Sequence, residues 1–205
     1  MADSWFSRDH PPLLVVLSGT AGSGKDSVVR RMQERGIPFE FIVTCTTRPP
    51  RPGEENGRDY FFVSDPEFQE LIRRGDLLEH AEVYGHQYGN SKTRVRQALA
   101  AGRDALLRID VQGVDTIRRK CPEAVTIFLA ASSEEELTRR LRKRGSETAE
   151  QVALRLRAAR EEMRRIPDFD YIVINADGKL DATVDTIAAI LRAEHARAIP
   201  RILSL

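Results

Sequence analysis

Cysteine, tryptophan and long apolar runs are all scarce in this chain. Its 205 residues hold two cysteines and one tryptophan, and aromatic residues make up 6%. Two thiols, Cys45 and Cys121, provide neither a disulfide framework nor a metal cluster, so a reducing, cytoplasmic setting is expected. The longest apolar stretches, Leu13 to Leu17 and Ile127 to Ala131, fall far short of the roughly 18 residues a bilayer span needs. No membrane association is expected. The opening segment MADSWFSRDHPP carries acidic residues and no apolar core, unlike a secretory signal. An excess charge of one sign is also missing. Lys plus Arg number 32 and Asp plus Glu 31, a formal net charge of +1, which speaks against a generic nucleic-acid binder.

What remains is an ordinary globular composition, 41% hydrophobic and 31% charged, at a length suited to one domain with insertions. Short continuous apolar runs recur at Leu13–Leu17, Ala105–Val111, Ala124–Ala130 and Tyr171–Asn175, with helical segments between them. Runs of this kind suit strands buried on both faces, so an α/β fold with a mostly parallel sheet is predicted. The first helix is expected from about Asp26 to Arg35, ending at Gly36.

Two segments interrupt the alternation. Residues 37–90 hold short extended pieces (Phe39–Thr44, Asp59–Ser64, Leu77–Tyr84) around one helix bounded by Pro66 and Gly75, which predicts a small, largely antiparallel insertion. Residues 132–166 predict two helices. In the first, Ser132 and Ser133 cap an acidic first turn, and Gly145 ends it. The second opens on a Thr148/Gln151 capping box and carries an apolar stripe at Val152, Leu156, Ala159, Met163 and Ile166. A last helix spans about 180–196, with Leu180, Val184, Ile187 and Leu191 on one face. Residues 1–12 and 196–205 are expected to be flexible tails.

Between the first strand and first helix lies Gly19-Thr20-Ala21-Gly22-Ser23-Gly24-Lys25-Asp26. This matches the phosphate-loop pattern G-x-x-x-x-G-K, with Asp26 where Ser or Thr is usual. Glycines let the backbone curl so that its N–H groups point at phosphate oxygens, and Lys25 adds a mobile positive charge. A carboxylate at position 26 is repulsive toward a polyphosphate unless a cation intervenes. Asp26 therefore either ligates Mg²⁺, directly or through water, or is neutralised by a basic neighbour. Ser27 lies about 100° further round the helix and is a poor substitute ligand.

Residues 46–63 read TTRPPRPGEENGRDYFFV. Arg48 and Arg51 with Tyr60 supply guanidinium forks and a phenol suited to a second phosphate ester. The spacing Thr46-Thr47-Arg48-x-x-Arg51-x-x-Glu54-x-x-Gly57-x-x-Tyr60-x-Phe62-Val63 resembles the signature of guanylate kinases. So do the upstream phosphate loop, Leu78-Glu79-His80-Ala81-Glu82, Tyr88-Gly89, Ile109-Asp110-Val111-Gln112-Gly113 and Arg140-Leu-x-x-Arg144-Gly145. The match covers about residues 13–195.

The resemblance implies transfer of the γ-phosphoryl group of ATP to GMP (and dGMP), giving ADP and GDP, with Mg²⁺ accompanying ATP. It implies a P-loop core (about 13–36, 91–131 and 167–195), a GMP-binding region (about 37–90) and a helical lid (about 132–166). Gly19, Thr20, Ala21, Gly22, Ser23, Gly24, Lys25, Asp26, Ser27 and Asn175 would serve ATP, Asn175 near the adenine. Arg48, Arg51, Tyr60 and Tyr88 would hold the GMP phosphate. Thr44, Glu79, Gly89 and Asn90 would serve the guanine, and Asp110 would face the same nucleotide. Lys25, Arg48, Arg140, Arg144 and Arg155 would stabilise charge on the moving phosphoryl. The expected partners are these two nucleotides, in a monomer or homodimer.

Three positions depart from the family pattern. Asp26 replaces Ser/Thr, Asn90 replaces Ser/Thr beside the guanine, and Arg108 replaces an Asp two residues before Asp110. Arg108 shares a strand face with Asp110. The loop has thus gained a carboxylate where the facing strand exchanged one for a guanidinium, and an Asp26–Arg108 ion pair is expected.

Overall fold

A computed structural model describes residues 10–143 and 149–205. The central strand β1 (Leu14–Gly19) is buried along its whole length. Val15 and Leu17 enter one apolar cluster with Val28, Met32 and Ile127. Leu14 and Val16 enter another on the opposite face with Leu107, Val114 and Ile117. A strand walled on both sides explains why its sequence is a continuous apolar run rather than an alternation.

Four further strands complete the parallel sheet: β2 (Glu40–Phe41), β7 (Ala105–Arg108), β8 (Val125–Ala130) and β9 (Tyr171–Ile174). Their order is β2-β7-β1-β8-β9. The chain leaves β1 toward one side and later returns to the other. The carboxyl end of β1 is therefore a topological switch point, where such sheets open a crevice. Helix α1 (Lys25–Glu34) follows at that point.

The segment predicted as one extended piece, Phe39–Thr44, is divided. Glu40 and Phe41 pair in parallel with Ala105 and Leu106 of the core. The next strand, β3 (Cys45–Thr46), belongs to a second sheet with β4 (Phe61–Phe62), β5 (Leu77–Val83) and β6 (His86–Ser91), in the order β4-β3-β6-β5. This sheet is mixed, since β3 and β4 run parallel while β5–β6 and β3–β6 are antiparallel. The hairpin β5–β6 turns at Tyr84-Gly85, both at positive φ (52° and 77°), the conformation that matches strand twist in a two-residue turn. Helix α2 (Asp65–Arg73) opens on a Ser64/Glu67 capping box with Pro66 in its first turn.

Helix α3 (Lys92–Ala100) leads from the second sheet back to β7, and α4 (Val111–Lys120) follows it. Helices α5 (Glu134–Lys143) and α6 (Ala149–Met163) meet through Leu137, Leu141, Val152 and Ala159. Ser133 Oγ accepts the Glu136 N–H at 3.2 Å, as its capping role requires. The predicted stripe on α6 is shorter than expected, because Met163 is 40% exposed at the helix end. Gly145, Thr148 and Arg144 lie outside the described residues.

Helix α7 (Leu180–His195) packs through Val184, Ile187 and Leu191 on the β1 face. The terminal segment 196–205 has no regular element, yet it is strapped down. Arg201 donates to Glu194 at 2.8 Å, and Leu203 and Leu205 lie against the second core cluster.

Candidate active site

The phosphate loop is held open by backbone and side-chain ties from outside it. Gly24, the residue before α1, sits at φ 95°, and no side chain caps that helix, so its first N–H groups remain available to an anion. A Cβ on Gly24 would lie 2.4 Å from Asn175 Nδ2. That closeness has a purpose. Asn175 Nδ2 donates to the Ser23 carbonyl at 2.8 Å, while Thr183 Oγ1 donates to Asn175 Oδ1 at 3.2 Å. Asn175, expected near the adenine, is thus buried as a brace of the loop, although it also lines a side cavity with Gly22, Gly24, Ser27 and Arg140.

Lys25 Nζ donates to the carbonyls of Gly19 (2.6 Å) and Thr20 (3.2 Å) and lies 3.6 Å from Asp110. The hydroxyls of Ser18, Thr20 and Ser23 are buried, with no hydrogen-bond partner among the described residues. The main cleft is lined by Thr20, Ala21, Gly22, Gly24, Lys25 and Asp26 on this side. The same cleft is also lined by Thr44, Arg51, Tyr60, Glu79 and Tyr88, and by Asp110 beside Lys25. Residues from both halves of the sequence thus face one space.

Glu79 ends the deepest part of the cleft, only 2% exposed. Thr44 Oγ1 donates to Asn90 Oδ1 at 3.1 Å, and Asn90 Nδ2 donates to Glu79 Oε1 at 2.7 Å. This relay fixes which way the Asn90 amide points, so the amide present instead of a hydroxyl binds the carboxylate. Burial pushes the Glu79 carboxyl up to about 7; Asp110 adds to the rise, while the Asn90 bond and Lys120 oppose it. Lys120 Nζ also donates to the Leu78 carbonyl at 2.6 Å, fixing the strand beside it. Room for Glu79 is made by Gly113 of α4, where a Cβ would meet Glu79 Oε2 at 2.6 Å. Gly113 had no role assigned from sequence; its signal was a glycine in the first turns of a helix, where glycine is costly without a reason.

Arg48, expected at the GMP phosphate, is paired within its own loop. Its guanidinium makes a bidentate pair with Glu54 (2.9 and 3.0 Å) and donates to the Pro49 carbonyl at 2.7 Å. It is 8% exposed, 5.1 Å from the Tyr60 ring centroid, and does not line the main cleft. The fork is occupied by Glu54, and the guanidinium lies beside the Tyr60 ring. Arg51, Tyr60 and Tyr88 do face the cleft. Burial pushes the Tyr60 phenol up to about 12, with the Arg108 charge opposing the rise, so it acts as a neutral donor.

The expected ion pair between α1 and β7 is present. Arg108 Nη1 donates to Asp26 Oδ1 at 2.5 Å. Arg108 is buried, whereas the Asp26 side chain stays half exposed at the cleft.

The arginines expected in a lid take different places. Arg140 donates to the carbonyls of Ser23 (3.2 Å) and Asn175 (2.7 Å) and to Asp177 (2.9 Å), beside the side cavity. Arg155 lines the main cleft and stacks on Tyr84 of the hairpin turn, 4.8 Å from its ring centroid. Arg144 lies outside the described residues. A residue missed from sequence, Glu162 of α6, also lines the cleft. Its Oε2 is buried without a hydrogen-bond partner, and burial pushes its carboxyl up to about 7. It is a glutamate among many on charged helices, so composition gave no signal.

No group of three or more His, Cys, Asp or Glu suited to a metal occurs among the described residues. The donor set does fit a hydrated Mg²⁺, which is generally held by substrate phosphates and one or two carboxylates. Asp26 and Asp110 offer hard oxygens on the cleft wall next to the phosphate loop. Among the described residues no helix is long and apolar enough to cross a membrane.

Comparisons with known proteins agree with one another. The family model described as guanylate kinase matches residues 12–194. A guanylate kinase of Dechloromonas aromatica is 44% identical over 180 residues, 88% of each chain. Guanylate kinase 2 of Oryza sativa subsp. japonica, a chloroplastic/mitochondrial protein, is 43% identical over 95% of this chain and 68% of its own length. The crystal structure of guanylate kinase from Anaplasma phagocytophilum matches with a TM-score of 0.77 and 33% identity, covering 92% of this chain and 89% of that one.

Proposed function

The chain belongs to the guanylate kinase family, and on that premise we propose that it transfers the γ-phosphoryl group of ATP to GMP, yielding ADP and GDP. The observation that carries the reading is the Thr44–Asn90–Glu79 relay in the same cleft as the phosphate loop. Guanine presents a ring N–H and an exocyclic amine side by side, and Glu79 accepts from both as a carboxylate. Adenine has no such pair, and it would leave this buried group unmatched.

The acceptor phosphate lies against Arg51, Tyr60 and Tyr88. Arg48 acts from behind, keeping Tyr60 in place through its stacked guanidinium. The donor phosphates occupy the loop, where backbone N–H groups from Ala21 to Lys25 and the α1 N-terminus receive them. For Lys25 to reach a phosphate, its ammonium exchanges the Gly19 and Thr20 carbonyls for phosphate oxygens. Transfer of this kind needs in-line placement and charge stabilisation rather than a covalent nucleophile. Arg155 supplies positive charge from the lid, and Arg140 fixes the loop from its outer side. Arg144 is assigned a lid role on sequence position alone.

Mg²⁺ bound with ATP would neutralise phosphate charge; Asp26, already paired with Arg108, is suited to a contact through water. The domain reading is a P-loop core, a GMP-binding insertion and a lid, and the protein works as a monomer or homodimer in the cytoplasm.

A coupled assay tests the reading. With ATP and Mg²⁺, ADP should form rapidly with GMP, more slowly with dGMP, and at background rate with AMP, UMP or dTMP. Turnover with AMP equal to that with GMP would overturn it.

A further inference from the structure

The buried guanidinium of Arg108 touches more than Asp26. Nη1 donates to Asp26 Oδ1 at 2.5 Å, and Nη2 donates to the Asp59 carbonyl at 3.1 Å. Its charged carbon lies 4.5 Å from the Tyr60 ring centroid and 5.3 Å from that of Phe41. These four partners belong to three separate segments. Asp26 is in the first turn of the helix that follows the phosphate loop, Asp59 and Tyr60 precede β4 of the second sheet, and Phe41 is on β2. One planar group, anchored at the end of β7, thus joins the two nucleotide-binding halves.

The geometry needs a guanidinium. Its two nitrogens point at acceptors on different segments while its face lies over an aromatic ring, and an ammonium offers neither the fork nor the plane. Asp26 has a reciprocal part. A guanidinium taken out of water needs a carboxylate partner, and the loop residue supplies it. Loss of Asp26 frees Nη1 and lets the guanidinium turn away from the Asp59 carbonyl and the Tyr60 ring.

We propose that Arg108 is a positioning residue that couples the phosphate loop to the acceptor site, so that residue 26 on the donor side sets how tightly the acceptor monophosphate is held. The inference rests on the assignment of GMP to the cleft beside Tyr60. Its signature is a cross-site effect: a change in the donor loop that appears in acceptor binding with neither ATP nor metal present.

The test uses Asp26→Ser, Arg108→Lys and the double variant of the full chain, with GMP binding measured by calorimetry in metal-free buffer without ATP. Each single change is expected to weaken GMP binding about 10-fold, and the double variant no more than about 20-fold, because both remove one connection. Hydrogen exchange of segment 59–63 in the ligand-free proteins is expected to speed up in all three. The proposal is overturned if Asp26→Ser leaves GMP affinity within about twofold of wild type, or if the single effects multiply in the double variant. If the wild-type protein binds no GMP, the functional reading falls, and the exchange rates alone then decide the coupling. Unchanged exchange at 59–63 in Asp26→Ser would refute it.

Discussion

The two halves of the cleft are built from different materials. The donor half is largely one contiguous loop whose chemistry is backbone N–H groups, a helix end and one lysine. Its side chains are mostly small, and the ties that shape it, from Asn175 and Arg140, come from behind. The acceptor half is assembled from side chains contributed by the residues flanking β3, by β5 and β6, by the 51–60 loop, by the end of β7 and by the start of α4. It is dense with buried charge: Glu79, Arg48 and Arg108 are all nearly inaccessible. Backbone donors cost little to keep in place, whereas each buried charge needs a partner. The donor half therefore tolerates emptiness, and the acceptor half must carry its own counterions.

That contrast is testable from its largest consequence downward. Lys25→Met should lower kcat by about a thousandfold or more, since this ammonium serves a developing charge, whereas loss of its bonds to the Gly19 and Thr20 carbonyls should lower stability by only about 1–2 kcal/mol. A loss of stability matching the loss of rate would show that the donor half is not the self-supporting piece described here.

On the acceptor side, Glu79→Gln should reduce kcat/KM for GMP by about 100-fold and erode the preference over AMP. It should also stabilise the protein at alkaline pH. A carboxyl raised to about 7 holds a proton in the folded state that the unfolded chain has released near its ordinary value. Its folded form is therefore penalised progressively as pH rises from about 4.5 to about 7, reaching about 3 kcal/mol above that window. Denaturant unfolding of wild type and variant at pH 5 and pH 8 checks this, with a gap of under about 1 kcal/mol at pH 5 that widens to about 3 kcal/mol at pH 8. An equal gap at both values would mean that Glu79 is not raised by burial.

Gly113→Ala should separate binding from stability. The added Cβ intrudes on Glu79 Oε2, so KM for GMP should rise about 10-fold, while helix propensity improves by about 1 kcal/mol. Unaltered KM would remove Gly113 from the site. The smallest effect is expected at Glu162, a half-buried carboxyl that lines the cleft on the donor side. Raised to about 7, it is mostly neutral at pH 6 and ionised at pH 8.5. ATP should bind wild type about threefold more weakly at the higher pH, and Glu162→Gln should flatten that dependence, as titration at the two pH values would show. A variant that retained the full wild-type pH dependence would exclude Glu162 as its source.

The reading from sequence was uneven for physical reasons. The phosphate loop was legible because its function resides in consecutive residues, and the loop between β1 and α1 keeps the order of the chain. The Asp26–Arg108 pair was legible too, since strand parity and a reciprocal exchange of charge type specify one neighbour. β6 went unread because His86–Ser91 is polar and shows no apolar alternation; it is defined by pairing with Leu77–Val83. The Glu54 partner of Arg48 went unread because spacing shows which residues are close in the chain, not which carboxylate occupies a fork. The bracing contact of Asn175 and the cleft position of Glu162 were missed for the same reason: their neighbours lie at Ser23 and near Lys25, more than a hundred residues away.

By itself, then, the sequence determined the α/β class, the phosphate loop and the identity of the chemical groups available, because apolar periodicity and contiguous motifs are properties of the local chain. Tertiary structure alone decided which arginines face the cleft and which are neutralised behind it, and that a glutamate 79 residues into the chain meets a glycine on α4. Those outcomes depend on burial and on partners brought together across the fold, and both come into being only when the sheet closes around them.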